Sequence, residues 1–341
     1  MRVRWAHCVQ TVTLLACLSF NTASYGEGFE QKELDEFVDT MVQQEGFSRN
    51  ALRPLFDKVE FQPRIIELMS RPAEKSLTWA EYRTLLINDR RVAAGAAFWQ
   101  KNRAILTRAQ EKYGVPIPII LGILGIETSF GQNTGSFRVI DALSTLGFAY
   151  PKRASFFKKE LKEFLLLTRE QKFDSLQLTG SYAGAMGLPQ FMPSSYRAYA
   201  VDFDGSGQAD IWNSFADAIG SIAAYLSRHG WAEGAPIAVQ ASVSGPQYEK
   251  FISSTARPKE TIDQARKLGW KAAQPPAAGT KVRGLRLTGR DGEEHWLTLN
   301  NFYVITRYNK SDLYAMAVYQ LGQDIEKKLG QNKQKGAGRR D

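Results

Sequence analysis

The rhythm of apolar and polar positions changes twice along the chain. From Phe37 to Asn50, and again from Ala51 to Met69, apolar residues recur at helical spacing between Asp, Glu, Lys and Arg, the pattern of helices with one buried stripe. Ser76 to Arg83 opens a further helix with Ser or Thr available as its cap, and Arg90 to Tyr113 continues as an Ala-rich helix with Phe98 and Trp99 as packing residues. Pro116 to Gly131 is apolar almost throughout, which predicts a helix buried on most sides. Pro118 suits its first turn and Gly131 its exit. Val139 to Phe148 and Asp217 to Gly230 read as further helices, and Lys158 to Thr168 as an amphipathic one. After Ala235 the period shortens: Ile237 to Val243, Lys281 to Thr288 and His295 to Leu299 are β-branched or alternating, separated by Gly, Pro and Asp. Phe302 to Lys328 returns to helix. The expectation is an α+β, mainly α fold. It has a helical region 28–100 joined by a C-terminal helix 310–329, a core 101–231, a small mostly β subdomain 235–305, and a basic disordered tail 330–341.

One residue is out of place in the buried helix. Glu127 sits at its end, where burial disfavours the charged form and should raise the pKa, as a general acid working near neutrality requires. The plain alternative is a carboxylate paired with Arg or capping a neighbouring helix. A second stretch, Gly180 to Ser195, places small residues where the chain must approach something closely, then offers Ser181, Gln190 and Phe191 as polar and stacking groups. Alone, it reads equally as a turn leading into a helix capped by Ser194 or Ser195.

Taken together, Gly125-Ile-Glu-Thr128, Gly184-Ala-Met-Gly187 running on through Gln190-Phe-Met-Pro-Ser-Ser195, Arg307-Tyr-Asn309 with Ser311, and Tyr314-Ala-Met-Ala-Val318 closely resemble one family. It is the B-type lytic murein transglycosylases, lysozyme-fold enzymes that cleave bacterial peptidoglycan, and the likeness extends from about Phe37 to Gly322. The resemblance implies a lysozyme-like catalytic core with Glu127 as its catalytic residue. Ser181 would hydrogen-bond near Glu127 or the substrate's acetamido group, and Gln190 would hold a sugar. Tyr82, Tyr225, Tyr308 and Tyr314, with Met186 and Phe191, would line the cleft, and Asn309 would be a polar anchor. For each tyrosine, a core position with a satisfied hydroxyl is the competing reading. Lys152 and Arg153, in the Tyr150-Pro-Lys-Arg-Ala154 turn, would bind stem-peptide carboxylates, although a Lys-Arg pair beside a turn is ordinarily a solvated surface.

Asp202 to Asn213 has the spacing of an EF-hand loop: Asp202, Asp204, Ser206, Asp210 and Asn213 at positions one, three, five, nine and twelve, Gly207 at six and Gln208 at seven. Asn213 replaces the bidentate Glu, so Ca²⁺ binding weaker or more sodium-tolerant than in a strict EF-hand is expected. A polar Asp-Gly turn without an ion is the alternative.

Charge and cysteine bear on the address. Arg2 and Arg4 precede a short apolar patch, Val12 to Phe20, which predicts a signal peptide over 1–25 and a periplasmic protein. Both cysteines, Cys8 and Cys17, lie in this leader. Leu14-Leu-Ala-Cys17 resembles a lipoprotein processing box, so a lipid tether at Cys17 and outer-membrane anchoring stand beside ordinary cleavage. The net charge of +9 fits an acidic polymer such as peptidoglycan with its stem peptides. No helix-turn-helix, zinc or aromatic-basic signature supports nucleic acid, and cell-wall synthesis proteins are further candidate partners.

Glycoside cleavage ordinarily needs two carboxylates, yet the motifs supply only Glu127. With one carboxylate, the resemblance implies substrate-assisted cleavage of the bond between N-acetylmuramic acid and N-acetylglucosamine, leaving 1,6-anhydromuramoyl ends. A muramidase of the same fold and a noncatalytic wall-binding scaffold remain the alternatives.

Overall fold

The computed structural model describes residues 29–70 and 77–337, with side chains through 331. The predicted leader, with Cys8 and Cys17, lies outside the described residues. Among them, no helix is long and apolar enough to cross a membrane.

The helical region begins with α1 (Gln31–Glu45), α2 (Arg49–Phe56), α3 (Pro63–Ser70) and α4 (Trp79–Leu86). The stretch 51–69 therefore forms two helices rather than one. The chain turns after Phe56, and Pro63 opens α3, where its missing N–H costs nothing. The connection is fastened from the core: Asp141 Oδ1 accepts from Glu60 N at 3.0 Å, and Thr145 Oγ1 from Gln62 N at 3.0 Å. Thr78 and Glu81 form a reciprocal capping box at the start of α4. Arg90 to Tyr113 is likewise divided, into α5 (Asp89–Lys101) and α6 (Arg103–Tyr113). At the break, the Asn102 side chain donates to Phe98 O at 3.0 Å, competing with the helical ladder.

The core is organised about α7 (Ile117–Thr128), whose Ile119 to Leu124 are all essentially inaccessible. Around it stand α8 (Val139–Ala149), α9 (Ala154–Gln171), α10 (Pro193–Tyr199) and α11 (Phe215–Arg228). After α13 (Asn300–Tyr308), the long α14 (Asp312–Ala337) returns antiparallel to α7, with Asn309 extended between them (φ −141°, ψ 127°). Glycine permits the close approach. A Cβ on Gly122 would lie 2.3 Å from Val318 O, and one on Gly322 would lie 2.4 Å from Pro118 O. This pairing sets the end of α7 beside the start of α14. Residues 330–337, expected as a disordered tail, continue α14. Their Lys, Gln and Ala are good helix formers, and extending an existing packed helix carries no nucleation cost.

The expected β subdomain is a five-stranded antiparallel sheet in the order β4 (Glu260–Thr261), β6 (Lys281–Gly289), β7 (Gly292–Thr298), β3 (Ala238–Val243), β5 (Trp270–Ala272). It carries α12 (Ile262–Lys267) and its own small core of Phe251, Ile262, Trp270, Val282 and Leu297. Leu285 and Leu287 of β6 join the main core instead, so the sheet is seated on the helices. A pair of two-residue strands, β1 (Phe137–Arg138) and β2 (Thr179–Gly180), joins the segment after α7 to the Ser181 loop.

Candidate active site

Helix α7 ends abruptly. Ser129, Phe130 and Gly131 have φ of 50°, 61° and 87°, and the amides of Ser129 and Phe130 fold back onto Gly125 O and Leu124 O. Three left-handed residues in succession stop the helix just beyond Glu127 and fix where that side chain emerges. Thr128 is buried and holds two segments together: its Oγ1 donates to Leu188 O at 3.1 Å and accepts from Gly131 N at 3.1 Å.

The Gly180–Phe191 segment is a compact double turn. Ser181 N donates to Ala185 O at 2.8 Å, and Met186 and Phe191 exchange backbone bonds of 2.8 and 3.1 Å. Gly135 lets the loop after α7 lie directly on it, since a Cβ there would fall 2.1 Å from Gly180 O. Ser181 Oγ accepts from Ala185 N at 3.1 Å and retains its own proton to donate. Gln190, itself left-handed at φ 52°, donates through Nε2 to Gly187 O at 2.8 Å and Thr134 O at 3.0 Å. Its amide nitrogen is thus committed to the loop, and its carbonyl oxygen is the end that can address a sugar.

Tyr314, at the start of α14, donates its hydroxyl to Glu127 Oε1 at 2.6 Å. Burial, and secondarily the charge of Glu127, push the Tyr314 phenol well above its ordinary value, so the hydroxyl remains a donor. Tyr308, stacked on Tyr314 with ring centroids 6.5 Å apart, is raised by the same two causes and donates to Pro189 O at 2.6 Å. Phe191 and Tyr225 continue the aromatic group, lying 5.8 and 4.9 Å from Tyr308. Tyr225 donates to Arg307 O, and burial pushes it up to about 12.

The predicted residues therefore divide. Glu127, Tyr308 and Tyr314 are brought into one network, with Gln190 and Ser181 on the loop fastened to it. Tyr82 and Tyr225 are almost wholly buried, as is Tyr314; Met186 is fully buried and Phe191 nearly so. Asn309 terminates α13 at the junction with α14. Lys152 and Arg153 remain exposed on a 3₁₀ turn, Arg153 lying 4.3 Å over the Phe156 ring. The buried carboxylates Asp141 and Glu160 of the helical core have structural partners. Asp141 bonds Glu60 N and Arg138, and Glu160 accepts from Ser194 N and Oγ at 2.9 and 2.7 Å.

The acidic loop adds a residue missed from sequence. Oxygens of Asp202, Asp204 and Asp217 lie within 4.8 Å of one another, Asp217 fully buried. Asp217 accepts from the amides of Phe203, Asp204 and Asp210 at 2.7, 3.1 and 2.8 Å, yet desolvation raises its pKa. Asp202 accepts from Gly205, Ser206 and Gly207. Gln208 turns its side chain to Gln171 O, while Asn213 Nδ2 bonds Asp210 at 2.9 Å. Three convergent carboxylates are the hard-oxygen donor set a divalent cation prefers, so these residues fit the group. The signal for Asp217 was its place four residues beyond the loop, in the first turn of α11, where it reads as an ordinary helix-start acid.

A carboxylate delivered by the end of a buried helix in a lysozyme-like core, with a phenol donating to it, is the setting of a glycan-cleaving enzyme. The family model described as Transglycosylase SLT domain matches residues 29–323, and the chain belongs to this family of peptidoglycan lytic transglycosylases. It is 40% identical over 309 residues to the membrane-bound lytic murein transglycosylase B of Escherichia coli, covering 88% of this chain and 84% of that protein. The soluble lytic transglycosylase SltB1 of Pseudomonas aeruginosa superposes with a TM-score of 0.84 at 51% identity, over 87% of this chain and 99% of that one. The Escherichia coli lytic transglycosylase Slt35, solved in complex with calcium, gives 0.83 at 40% identity over 91% and 98%.

Proposed function

We propose that Glu127 serves in turn as acid and base in a non-hydrolytic cleavage of the β-1,4 bond between N-acetylmuramic acid and N-acetylglucosamine. Protonated Glu127 donates to the glycosidic oxygen as the C1–O bond breaks, and the substrate's acetamido oxygen stabilises the positive charge at C1. Glu127, now a carboxylate, removes the proton of the muramic C6 hydroxyl, which bonds to C1 and closes the 1,6-anhydro ring. No water enters the balance. The observation that carries this reading is the delivery of Glu127 to the phenols: Tyr314 donates to it at 2.6 Å and its charge acts on Tyr308 and Tyr314, whereas Asp141 and Glu160 are occupied elsewhere. Tyr314 holds the carboxylate in the base stage, because a donor favours the ionised form. Ser181 and the Gln190 carbonyl orient the sugars, and Lys152 and Arg153 meet stem-peptide carboxylates.

The acidic loop is a structural Ca²⁺ site, held by Asp202 and Asp204 with Asp217 and supplemented by the Ser206, Gln208, Asp210 and Asn213 segment. The ion would neutralise the converging charges and tie the loop to α11; it has no part in bond cleavage. The protein works in the periplasm on glycan strands bearing stem peptides. A lipid tether at Cys17 would fasten it to the outer membrane beside wall-synthesis proteins. Digestion of purified sacculi with mass analysis of the products tests the chemistry. Nonreducible muropeptides lighter by one water are expected, whereas reducible ends would make the protein a muramidase and no release would make it a scaffold.

A further inference from the structure

A pocket of about 310 Å³ lies against the loop that follows α7, lined by Asn88, Arg90, Arg91, Ser129, Gln132 and Asn133, with Ala94 and Phe130 behind them. Two guanidinium groups, a hydroxyl and three carboxamides face this space, and no carboxylate lines it. Among the described residues, neither arginine forms an ion pair. Arg91 Nη1 donates to Leu86 O and, at 3.4 Å, Leu85 O, closing the end of α4; Nη2 donates to Ser129 Oγ at 3.2 Å. Its Nε is buried without a partner. Burial pushes Arg91 below its ordinary value, so this cation is partly stripped of water and lacks a counter-charge. The pocket also receives the positive end of α5, whose cap is Asn88.

The structure assigns this pocket to a carboxylate, and we propose that its occupant is a carboxylate of a substrate stem peptide. The assignment rests on the functional reading above. Two planar guanidinium groups and a hydroxyl donor match a carboxylate better than a neutral sugar. The position is close to the chemistry. Ser129 is two residues beyond Glu127, so their Cα atoms are at most about 7 Å apart, and Asn133 adjoins Thr134, whose carbonyl receives the Gln190 amide. A stem peptide seated here would draw its own glycan strand along the cleft. The terminal cap of α4 accounts for Nη1 of Arg91 but not for Arg90, Gln132 or the unpaired charge.

The test compares three glycans of equal length: one with stem-peptide carboxylates, one with those carboxylates amidated, and one stripped of stems so that only lactyl carboxylates remain. Binding to the Glu127→Gln protein is read by calorimetry, and KM and kcat are read on the wild type. The free-carboxylate stem is expected to bind roughly tenfold more tightly than the amidated one, as one lost charge-assisted contact implies. Arg90→Glu should reduce that ratio towards one with Tm unchanged, since Arg90 is exposed and an acid suits the first turn of a helix. Arg91→Lys, which keeps charge but not the fork, should reduce it in part. Equal binding of carboxylate and amidated stems, a preference retained in Arg90→Glu, or tightest binding of the stripped glycan would each overturn the assignment. Wild-type protein that binds with the preference but cleaves none of the three would overturn the catalytic reading alone.

Discussion

Carboxylates occupy two opposite settings in this molecule. Glu127 lies at the end of an apolar helix and accepts a hydrogen bond from the hydroxyl of Tyr314. Asp202, Asp204 and Asp217 are drawn within 4.8 Å of one another and bonded mainly to backbone amides. Burial raises the pKa of Asp217, whereas hydrogen bonds from Ser214 and Ser206 lower that of Asp204, so a cation among the three would add most to the buried member. The proposed chemistry and the proposed ion binding thus use the same side-chain type, separated by the number of neighbours of like charge.

The most severe break in this contrast is Glu127→Gln, which keeps the shape and removes the proton. Release of anhydromuropeptides from sacculi should fall by roughly 10²- to 10⁴-fold with Tm little changed; substantial residual cleavage would refute the assignment. Removing the cation strikes the other setting. An ion bound only by the folded state at a hundredfold excess over Kd contributes about 2.7 kcal/mol, so chelation should lower Tm by several degrees, and a melting curve indifferent to chelator would contradict a bound ion. Tyr314→Phe should cost about tenfold in turnover, near the lower value of a hydrogen bond to a charged group. Wild-type turnover in that variant would mean the contact is merely architectural.

The mildest effect is in pH. Asp217 has a raised folded-state pKa, so in ion-free protein its contribution to stability is fully present below the unfolded value, about 3.9, and is lost as pH rises through the raised value. Calcium requires the ionised form, so its stabilising effect should grow across that same interval. The calcium-induced Tm shift, followed from about pH 4 to pH 7, should increase; a flat profile would separate Asp217 from the ion.

The place of Glu127 was legible because a charged residue at the end of a long apolar run violates its local pattern, and that of Tyr308 and Tyr314 because they fall in the ordered motifs Arg307-Tyr-Asn309 and Tyr314-Ala-Met-Ala-Val318. Asp217 was not, since nothing in a linear pattern distinguishes an acid in the first turn of a helix from one turned back under the preceding loop. The breaks at Asn102 and Asn309 were missed for a related reason: the apolar period persists across them, while side-chain bonding or an extended residue interrupts the backbone. Strands β1 and β2 have two residues each, too few to set up any alternation. Nor could sequence tell that Met186, Phe191, Tyr82 and Tyr225 are buried, because an apolar or aromatic side chain in a core and one beneath a sugar share a pattern and differ only in what covers them.

The pairing of α7 with α14 has a temporal consequence. Glu127 and Tyr314 are 187 residues apart in the chain, and the apolar flank of α7 lacks its cover until Gly322 has closed on Pro118. A ribosome therefore completes most of the polypeptide before the acid acquires its phenolic donor. A chain released early would carry Glu127 in an unfinished frame, which only the final helix completes.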